Sequence, residues 1–115
     1  MLLMRDAQNC LISKIYTMKI KIHELASKEF EEAAEWYELQ SKALGKRFSK
    51  LVFNQIKKIK KNPGWFPSEA RNIYTAYIPK FPYKILFSIE KDNIIVLWAV
   101  AHMHRKPWYW QSRTD

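Results

Sequence analysis

The residues best suited to chemistry lie near the C-terminus, where a long apolar run ends. Polar and cationic groups come first and aromatic rings follow: His102, His104, Arg105, Lys106, Trp108, Tyr109 and Trp110. An unperturbed imidazole titrates near neutrality, so either histidine can serve as a general acid or base. A buried strand that ends in such a cluster commonly delivers it to the surface. We therefore expect function to lie at this end of the strand.

Two predicted strands position this cluster. In residues 81–90, apolar side chains alternate with polar ones, and Lys84 lies on the polar face. This period of two is typical of a half-buried strand. Residues 94–101 are apolar at every position, which indicates a central strand covered on both faces. The turn between the two strands is predicted at residues 91–93.

Length and charge limit the classes of partner. The chain has 115 residues, enough for one domain with a real core, and 48% of them are hydrophobic. The net charge of +9 favours polyanionic partners, either nucleic acid or an acidic protein. No apolar segment approaches the ~20 residues that span a bilayer, so we expect no membrane association. A single cysteine, Cys10, cannot form an internal disulfide, which favours the cytoplasm.

The first 17 residues are predicted to be an N-terminal extension. Arg5, Asp6 and Asn9 interrupt its apolar stretch, which argues against a signal peptide. The alternation of residues 18–23 then predicts the first strand of a domain at residues 18–115. We hypothesise that Met18 is the natural start. The alternative is that residues 1–17 add a strand or helix that packs on the domain.

Two helices are predicted to form a hairpin. The first begins with Ser27 as N-cap and continues to about Gln40, with Phe30 and Tyr37 on its apolar stripe. The second runs over residues 44–61 and ends where proline and glycine follow. The first helix is acidic. The second is strongly basic, and its last turns supply four candidates for nucleic-acid contacts through charge alone: Lys57, Lys58, Lys60 and Lys61. A solvated helix face is the alternative interpretation.

A further strand is predicted at residues 71–78, before Pro79. The order is then strand, two helices and three antiparallel strands. This order predicts an α+β fold, with a two-helix hairpin packed on a curved, mainly antiparallel four-stranded sheet.

The motifs together resemble the RelE/ParE family of bacterial toxins, in particular the members once called plasmid stabilisation proteins. The resemblance covers about residues 18–113 and depends on the order of six segments: MKIKI, EFEEAAEWYE, LGKRF, NPGWFP, FPYKILFSIE and IIVLWAVAHMHRKPWYW. It implies the toxin of a type II toxin–antitoxin pair, neutralised by a small antitoxin encoded beside it. Because the chain is basic, we expect that antitoxin to be acidic.

The family divides by mechanism. RelE-like members cut mRNA on the ribosome, whereas ParE-like members poison DNA gyrase. By position, the resemblance places Lys84 at a catalytic arginine of the RelE-like group, Arg105 near a second and Tyr109 at a terminal tyrosine. Residues 75–77 read Thr-Ala-Tyr where RelE itself carries a lysine pair.

Cleavage of RNA through the ribose 2′-OH requires a base, an acid and cations, but no metal or cofactor. His102 or His104 would supply the base or acid, with His104 preferred, while Lys84 and Arg105 would stabilise the phosphorane charge. Tyr109 would donate a second proton or stack against a base. The leading expectation is thus a metal-independent endoribonuclease acting on ribosome-bound mRNA.

Additional nucleic-acid contacts are predicted for Arg71, Lys106 and Trp108. The alternatives are structural. The imidazoles of the two histidines would then cap backbone groups or face solvent, and Lys84 would only add solubility. Trp110 is interpreted as part of a small second core that holds the C-terminus against the first helix. At the level of function, the alternatives are a gyrase inhibitor without catalysis and a degenerate member that only binds its antitoxin.

Overall fold

A computed structural model of the chain describes residues 19–114. The regular elements follow in chain order: β1 (Lys19–Ile22), α1 (Glu24–Gln40), α2 (Leu44–Lys61), β2 (Ser68–Ala70), β3 (Ile73–Tyr77), β4 (Tyr83–Glu90) and β5 (Ile94–His102). Short 3-10 turns occur at Pro63–Trp65, Lys91–Asn93 and Gln111–Thr114. The predicted extension and the proposed start at Met18 lie outside the described residues. No helix within residues 19–114 is long and apolar enough to cross a membrane.

The strands form one sheet in the order β1-β5-β4-β3-β2. β1 pairs with β5 in parallel, and every other pair is antiparallel. The predicted α+β fold, with a helical hairpin on a mainly antiparallel sheet, is confirmed. Within residues 19–114 the sheet has five strands rather than four, because Ser68–Ala70 adds a strand at the edge. Three residues are too few to show a period of two, so this strand leaves no signal in the sequence.

One face of the sheet packs against both helices. α2 contributes Phe48, Val52 and Ile59 to this core, and the central strands contribute residues such as Ile85 and Leu97. Each of these side chains is almost completely shielded from water. Burying one such side chain contributes about 1.5–3 kcal/mol, so this face supplies most of the hydrophobic stabilisation.

The opposite face is covered by the C-terminal segment. Trp110 is only 3% exposed and packs with Ile73, Leu86 and Ala99. This second core explains part of the apolar run of β5, because Ala99 is buried in it, whereas Ile94, Val96 and Trp98 are only partly buried. Trp110 thus belongs to a small second core, as predicted, but its partners in that core are strand residues and not residues of the first helix.

The first helix begins earlier than predicted. His23 is the N-cap, and its Nδ1 accepts a hydrogen bond from the backbone N–H of Leu25 at 3.1 Å. The N–H of His23 also extends the parallel ladder by donating to the Leu97 carbonyl at 2.9 Å. The prediction of Ser27 as N-cap was wrong, since its N–H already donates to the His23 carbonyl inside the first turn. One residue thus ends β1 and starts α1.

Glu38 and Gly45 fix the turn of the helical hairpin. The Glu38 carboxylate accepts hydrogen bonds from the backbone N–H groups of Ala43 at 3.1 Å and Gly45 at 2.9 Å. These contacts satisfy backbone donors at the start of α2. A Cβ atom at position 45 would clash with the carbonyl oxygen of Ala34. Only glycine allows this close approach of the two helices.

We predict that Gly45→Ala destabilises the domain, because the backbone of α1 must move to admit the methyl group. A loss of about 1–3 kcal/mol in the free energy of unfolding is typical of such overpacking. The matched control is Gly64→Ala, since a Cβ atom there meets nothing within 4 Å. Urea denaturation measures both variants. Equal free energies of unfolding for the two would contradict the close approach.

Candidate functional site

The site is built around an incomplete edge of β5. β1 pairs with β5 only as far as Leu97, so no strand among residues 19–114 lies beside the end of β5 on that side. On the other side, Phe87 pairs with Leu97 and Leu86 with Ala99, which leaves Trp98 as an extra residue. This β-bulge bends the strand where its neighbour ends. The backbone groups beyond Leu97 therefore need partners other than a strand.

Glu29 and Arg113 provide these partners. The Val100 N–H donates to Glu29 Oε1 at 3.0 Å, and Arg113 Nη1 donates to the Trp98 carbonyl at 3.0 Å. The two side chains also bind each other through a bidentate ion pair, with both N–O distances at 2.9 Å. Their side chains are only 14% and 9% exposed. This ion pair terminates the sheet in place of a strand and ties the C-terminal segment to α1.

Tyr109 completes this network. Its hydroxyl donates to Glu29 Oε2 at 2.8 Å, and its ring lies 4.0 Å from the guanidinium carbon of Arg105 and 5.0 Å from that of Arg113. Burial raises the pKa of Tyr109 well above its ordinary value, and the hydrogen bond to Glu29 raises it further. The same carboxylate raises the pKa of Arg113 by hydrogen bonding to the charged guanidinium.

Lys84 is engaged by a second carboxylate. Its ammonium group lies 2.9 and 3.1 Å from the two oxygens of Glu69, whose Oε1 also accepts a hydrogen bond from the Thr75 hydroxyl at 2.7 Å. The Lys84 and Glu69 side chains are 22% and 25% exposed. The positive charge of Lys84 is therefore largely balanced by its neighbour on β2.

The two histidines lie at the end of β5. The His102 ring is 5.1 Å from that of Tyr83 and 5.2 Å from that of His104. The backbone N–H of His104 donates to His102 Nδ1 at 3.0 Å, which assigns that nitrogen as an acceptor. His104 itself is exposed. Within residues 19–114, no group of three or more potential ligands is arranged to hold a metal ion.

Two cavities flank the C-terminal segment, and Arg105 and His102 line both. The larger, of about 520 Å³, lies beside α1 and includes Glu29, Trp36 and Tyr83 in its lining. The smaller, of about 110 Å³, brings together most of the predicted site: Lys84, His102, Arg105, Lys106, Trp108 and Tyr109. His104, the preferred acid or base, lines neither.

The remaining predicted residues lie elsewhere. Phe48, in the first turns of α2, packs against Tyr83 with ring centroids 5.2 Å apart. The last lysine of the predicted basic group is thirteen residues further along α2, which corresponds to about 20 Å. Lys57, Lys58, Lys60 and Lys61 are all exposed there, and Arg71 is exposed in the turn between β2 and β3. These five cations form no single site with the C-terminal cluster.

Sequence reasoning missed Glu29, Glu69 and Arg113. A signal existed for Glu29, because it falls three residues after Ala26 and four before Ala33, both buried on the inner face of α1. An ionisable residue at that spacing has to find a partner in the interior. The partners of Glu69 and Arg113 are 15 and 84 residues away in the chain. No local pattern identifies such pairs.

Comparison with known proteins gives the family. A family model described as the ParE toxin of a type II toxin–antitoxin system, parDE, matches residues 20–107. The chain belongs to the ParE toxin family. It is thus the toxin component of a type II toxin–antitoxin system, as the resemblance implied, and an antitoxin is its partner in such a system. A search of curated proteins found no match.

A solved structure supports the fold of this ParE-family chain. The chain is similar to one from the chromosomal ParDE toxin–antitoxin system of P. aeruginosa, with a TM-score of 0.66 and 15% sequence identity. The match covers 77% of this chain and 99% of the other. At this identity the likeness concerns the arrangement of helices and strands.

We predict that Glu29→Gln lowers the free energy of unfolding by about 1–3 kcal/mol, because Arg113 loses its charged partner while the shape of the side chain is kept. The pKa of Tyr109 should fall at the same time, since a carboxylate no longer opposes its ionisation. Chemical denaturation and ultraviolet titration measure the two effects. Glu32→Gln, at an exposed position of the same helix, is the control. Equal stability of the two variants would contradict the role assigned to Glu29.

The raised pKa of Tyr109 also predicts a dependence of stability on pH. Above the ordinary tyrosine pKa of 10.0, the unfolded chain loses this proton before the folded chain does. Stability present below that pH should therefore be lost as the pH rises further. Tyr109→Phe should show a smaller decrease in the free energy of unfolding between about pH 9.5 and 11. If the free energy of unfolding falls equally with pH in the variant and in the unaltered chain, Tyr109 does not contribute to the pH dependence.

Proposed function

We propose that this toxin inhibits DNA gyrase by binding to it, without catalysis of its own, and that an acidic antitoxin holds it inactive. The proposal rests chiefly on the two carboxylates of the candidate site. Glu69 balances Lys84, and Glu29 binds both Tyr109 and Arg113. The membership in the ParE family supports the same target.

The carboxylates of Glu29 and Glu69 make this site poorly suited to cleavage of a phosphodiester bond. A nuclease site needs cations that are free to meet the charge developing on the phosphorus oxygens. Here the cation of Lys84 already has a carboxylate at 2.9 Å, so an incoming phosphate would meet a negative charge beside it. The raised pKa of Tyr109 makes its hydroxyl a weak acid, and its proton already lies in a hydrogen bond to Glu29.

Exposed apolar side chains favour a protein as the target. Trp36 lies on the wall of the larger cavity, and Leu39 follows it on the same helix. Met103 and Trp108, in the C-terminal segment, are also about half exposed. Large apolar and aromatic side chains of this kind are typical anchors of protein–protein interfaces. The same surface is available to an antitoxin, and the net charge of +9 favours an acidic one.

Ribosome-dependent mRNA cleavage is the second candidate. It is favoured by His102 and His104, whose rings lie 5.2 Å apart beside Arg105. An imidazole pair next to a guanidinium could move a proton and stabilise a phosphate charge. This mechanism would depend on the histidines and Arg105, with a smaller contribution from Lys84 than the resemblance implies.

A double variant, Lys84→Met/Glu69→Gln, tests the choice between the two mechanisms. It removes the cation and leaves no unpaired carboxylate, so the sheet should keep its stability. A gyrase inhibitor should retain its inhibition of supercoiling by purified gyrase within about twofold, because no step requires the Lys84 charge. Induction in cells should then cause growth arrest with an SOS response for both proteins.

His102→Ala/His104→Ala separates the candidates further, and circular dichroism confirms that each variant is folded. Induction of the unaltered toxin could produce new RNA 5′-ends at codon-phased positions, with no SOS response. If those ends are lost in this variant, the result would contradict gyrase inhibition and support cleavage. If neither RNA nor growth changes on induction of the unaltered chain, the chain retains only antitoxin binding, and the proposal is overturned.

A further inference from the structure

The C-terminal half of α2 carries a dense group of cations away from the candidate site. Lys57, Lys58, Lys60 and Lys61 fall within five residues, and no acidic residue occurs anywhere on this helix. At 100° per residue, the four side chains cover an arc of about 160°. The fully buried Ile59 points to the opposite side. The lysines therefore form one continuous outer surface, here called the lysine surface.

The lysine surface has no internal counter-charge among the described residues. The two ion pairs formed within residues 19–114 are Lys84–Glu69 and Arg113–Glu29, and neither involves α2. Lysines in the last turn of a helix commonly complement its dipole, which accounts for part of this pattern. Four adjacent ammonium groups without a carboxylate also form a surface that binds phosphates and releases counterions on doing so.

An exposed tryptophan adjoins this surface. The chain leaves α2 at Asn62 and makes one 3-10 turn, in which the Trp65 N–H donates to the Asn62 carbonyl at 3.1 Å. Trp65 is 83% exposed, the highest value among the large hydrophobic residues described. The next residue, Phe66, packs against Phe87 at 5.7 Å between ring centroids. The loop is therefore anchored to the core while the indole remains in solvent.

The helix dipole accounts for some of the lysines, but it does not explain why a tryptophan is exposed to solvent at position 65. A large aromatic side chain left in water loses the free energy that burial would contribute, and nothing in the hairpin requires an aromatic at this position. An aromatic ring beside a row of cations is the combination that binds single-stranded nucleic acid, where cations follow the phosphates and a ring stacks on a base. A duplex offers no unstacked base to such a ring.

We infer that the lysine surface and Trp65 form a binding site for single-stranded nucleic acid, separate from the C-terminal cluster. The lysines contact successive phosphates, and the indole of Trp65 stacks on one base. The chemistry is shared by DNA and RNA, because both present phosphates and base faces. The inference does not depend on gyrase inhibition, since it concerns different residues and a different ligand.

The test uses the full-length chain and fluorescein-labelled oligomers of about 12 nucleotides, oligo(dT) and oligo(U), within the site sizes usual for such surfaces. Fluorescence anisotropy gives the affinity at several salt concentrations. Trp65→Ala should weaken binding about tenfold, in keeping with the loss of one base stack. Trp65→Phe should restore most of the affinity, because the phenyl ring still offers a stacking face.

The lysines are tested by Lys57→Gln/Lys58→Gln/Lys61→Gln, which should weaken binding and reduce the salt slope by about 2. The matched control is Lys46→Gln/Arg47→Gln/Lys50→Gln, which removes the same charge from the other end of α2. The control should keep its affinity within about twofold at moderate salt, where distant charges are screened. Thermal melting checks that each variant is folded.

The outcomes are distinct. A similar loss in both triple variants would overturn the inference, because binding would then follow net charge alone. So would unchanged binding by Trp65→Ala, or a 12-base-pair duplex bound as tightly as the single strands. If the site is confirmed, tighter binding of oligo(dT) or of oligo(U) identifies DNA or RNA, respectively, as the preferred ligand. Supercoiling assays on the same variants report gyrase inhibition independently.

Discussion

The ion pair between Glu29 and Arg113 closes the sheet of this toxin. β1 pairs with β5 only as far as Leu97, and a bulge at Trp98 interrupts the register between β5 and β4 just beyond that point. A buried edge with free N–H and C=O groups would be costly. One carboxylate and one guanidinium satisfy those groups and hold the C-terminal segment in place. Glu29 also accepts the hydrogen bond of the Tyr109 hydroxyl and lines the larger cavity, so the ion pair reaches into the candidate site.

Charge is distributed unevenly in the folded chain. Acidic side chains are concentrated on α1, whereas α2 carries only basic ones. The carboxylates that matter for the candidate site, Glu29 and Glu69, face inward and are paired. The cations of α2 face outward. At the candidate site, the cations of Lys84 and Arg113 are therefore balanced by carboxylates. The C-terminal half of α2, in contrast, presents a positively charged surface.

Periodicity was sufficient to predict most of the fold. The second helix was predicted with its observed limits, because Phe48, Val52 and Ile59 recur at helical spacing and proline follows the last turn. The two long strands followed from a period of two and from a continuous apolar run. The start of α1 was misplaced because His23 caps it, and histidine is not among the residues that usually signal an N-cap. The three-residue β2 is too short for any period to appear.

The candidate site was harder to predict than the fold, since its meaning depends on pairs of distant residues. Lys84 looked like a free cation on a polar strand face until Glu69 was found beside it on a strand that the sequence does not reveal. Tyr109 was expected to donate a proton to the substrate, but in the structure its hydroxyl donates a hydrogen bond to Glu29. Residue type predicts what a group can do in isolation. Its neighbours in space decide which of those capacities it keeps.

The parallel pairing of β1 with β5 has a consequence for synthesis. These are the first and last of the strands within residues 19–114, and the ion pair beside their junction joins residues 84 positions apart. A ribosome adds residues from the N-terminus at about 5–20 per second, so the helical hairpin is made well before β5. The nascent chain cannot complete this parallel pairing until β5 has been made. A nascent chain that has not yet reached Arg113 therefore lacks the guanidinium that closes this edge, although both helices are already complete.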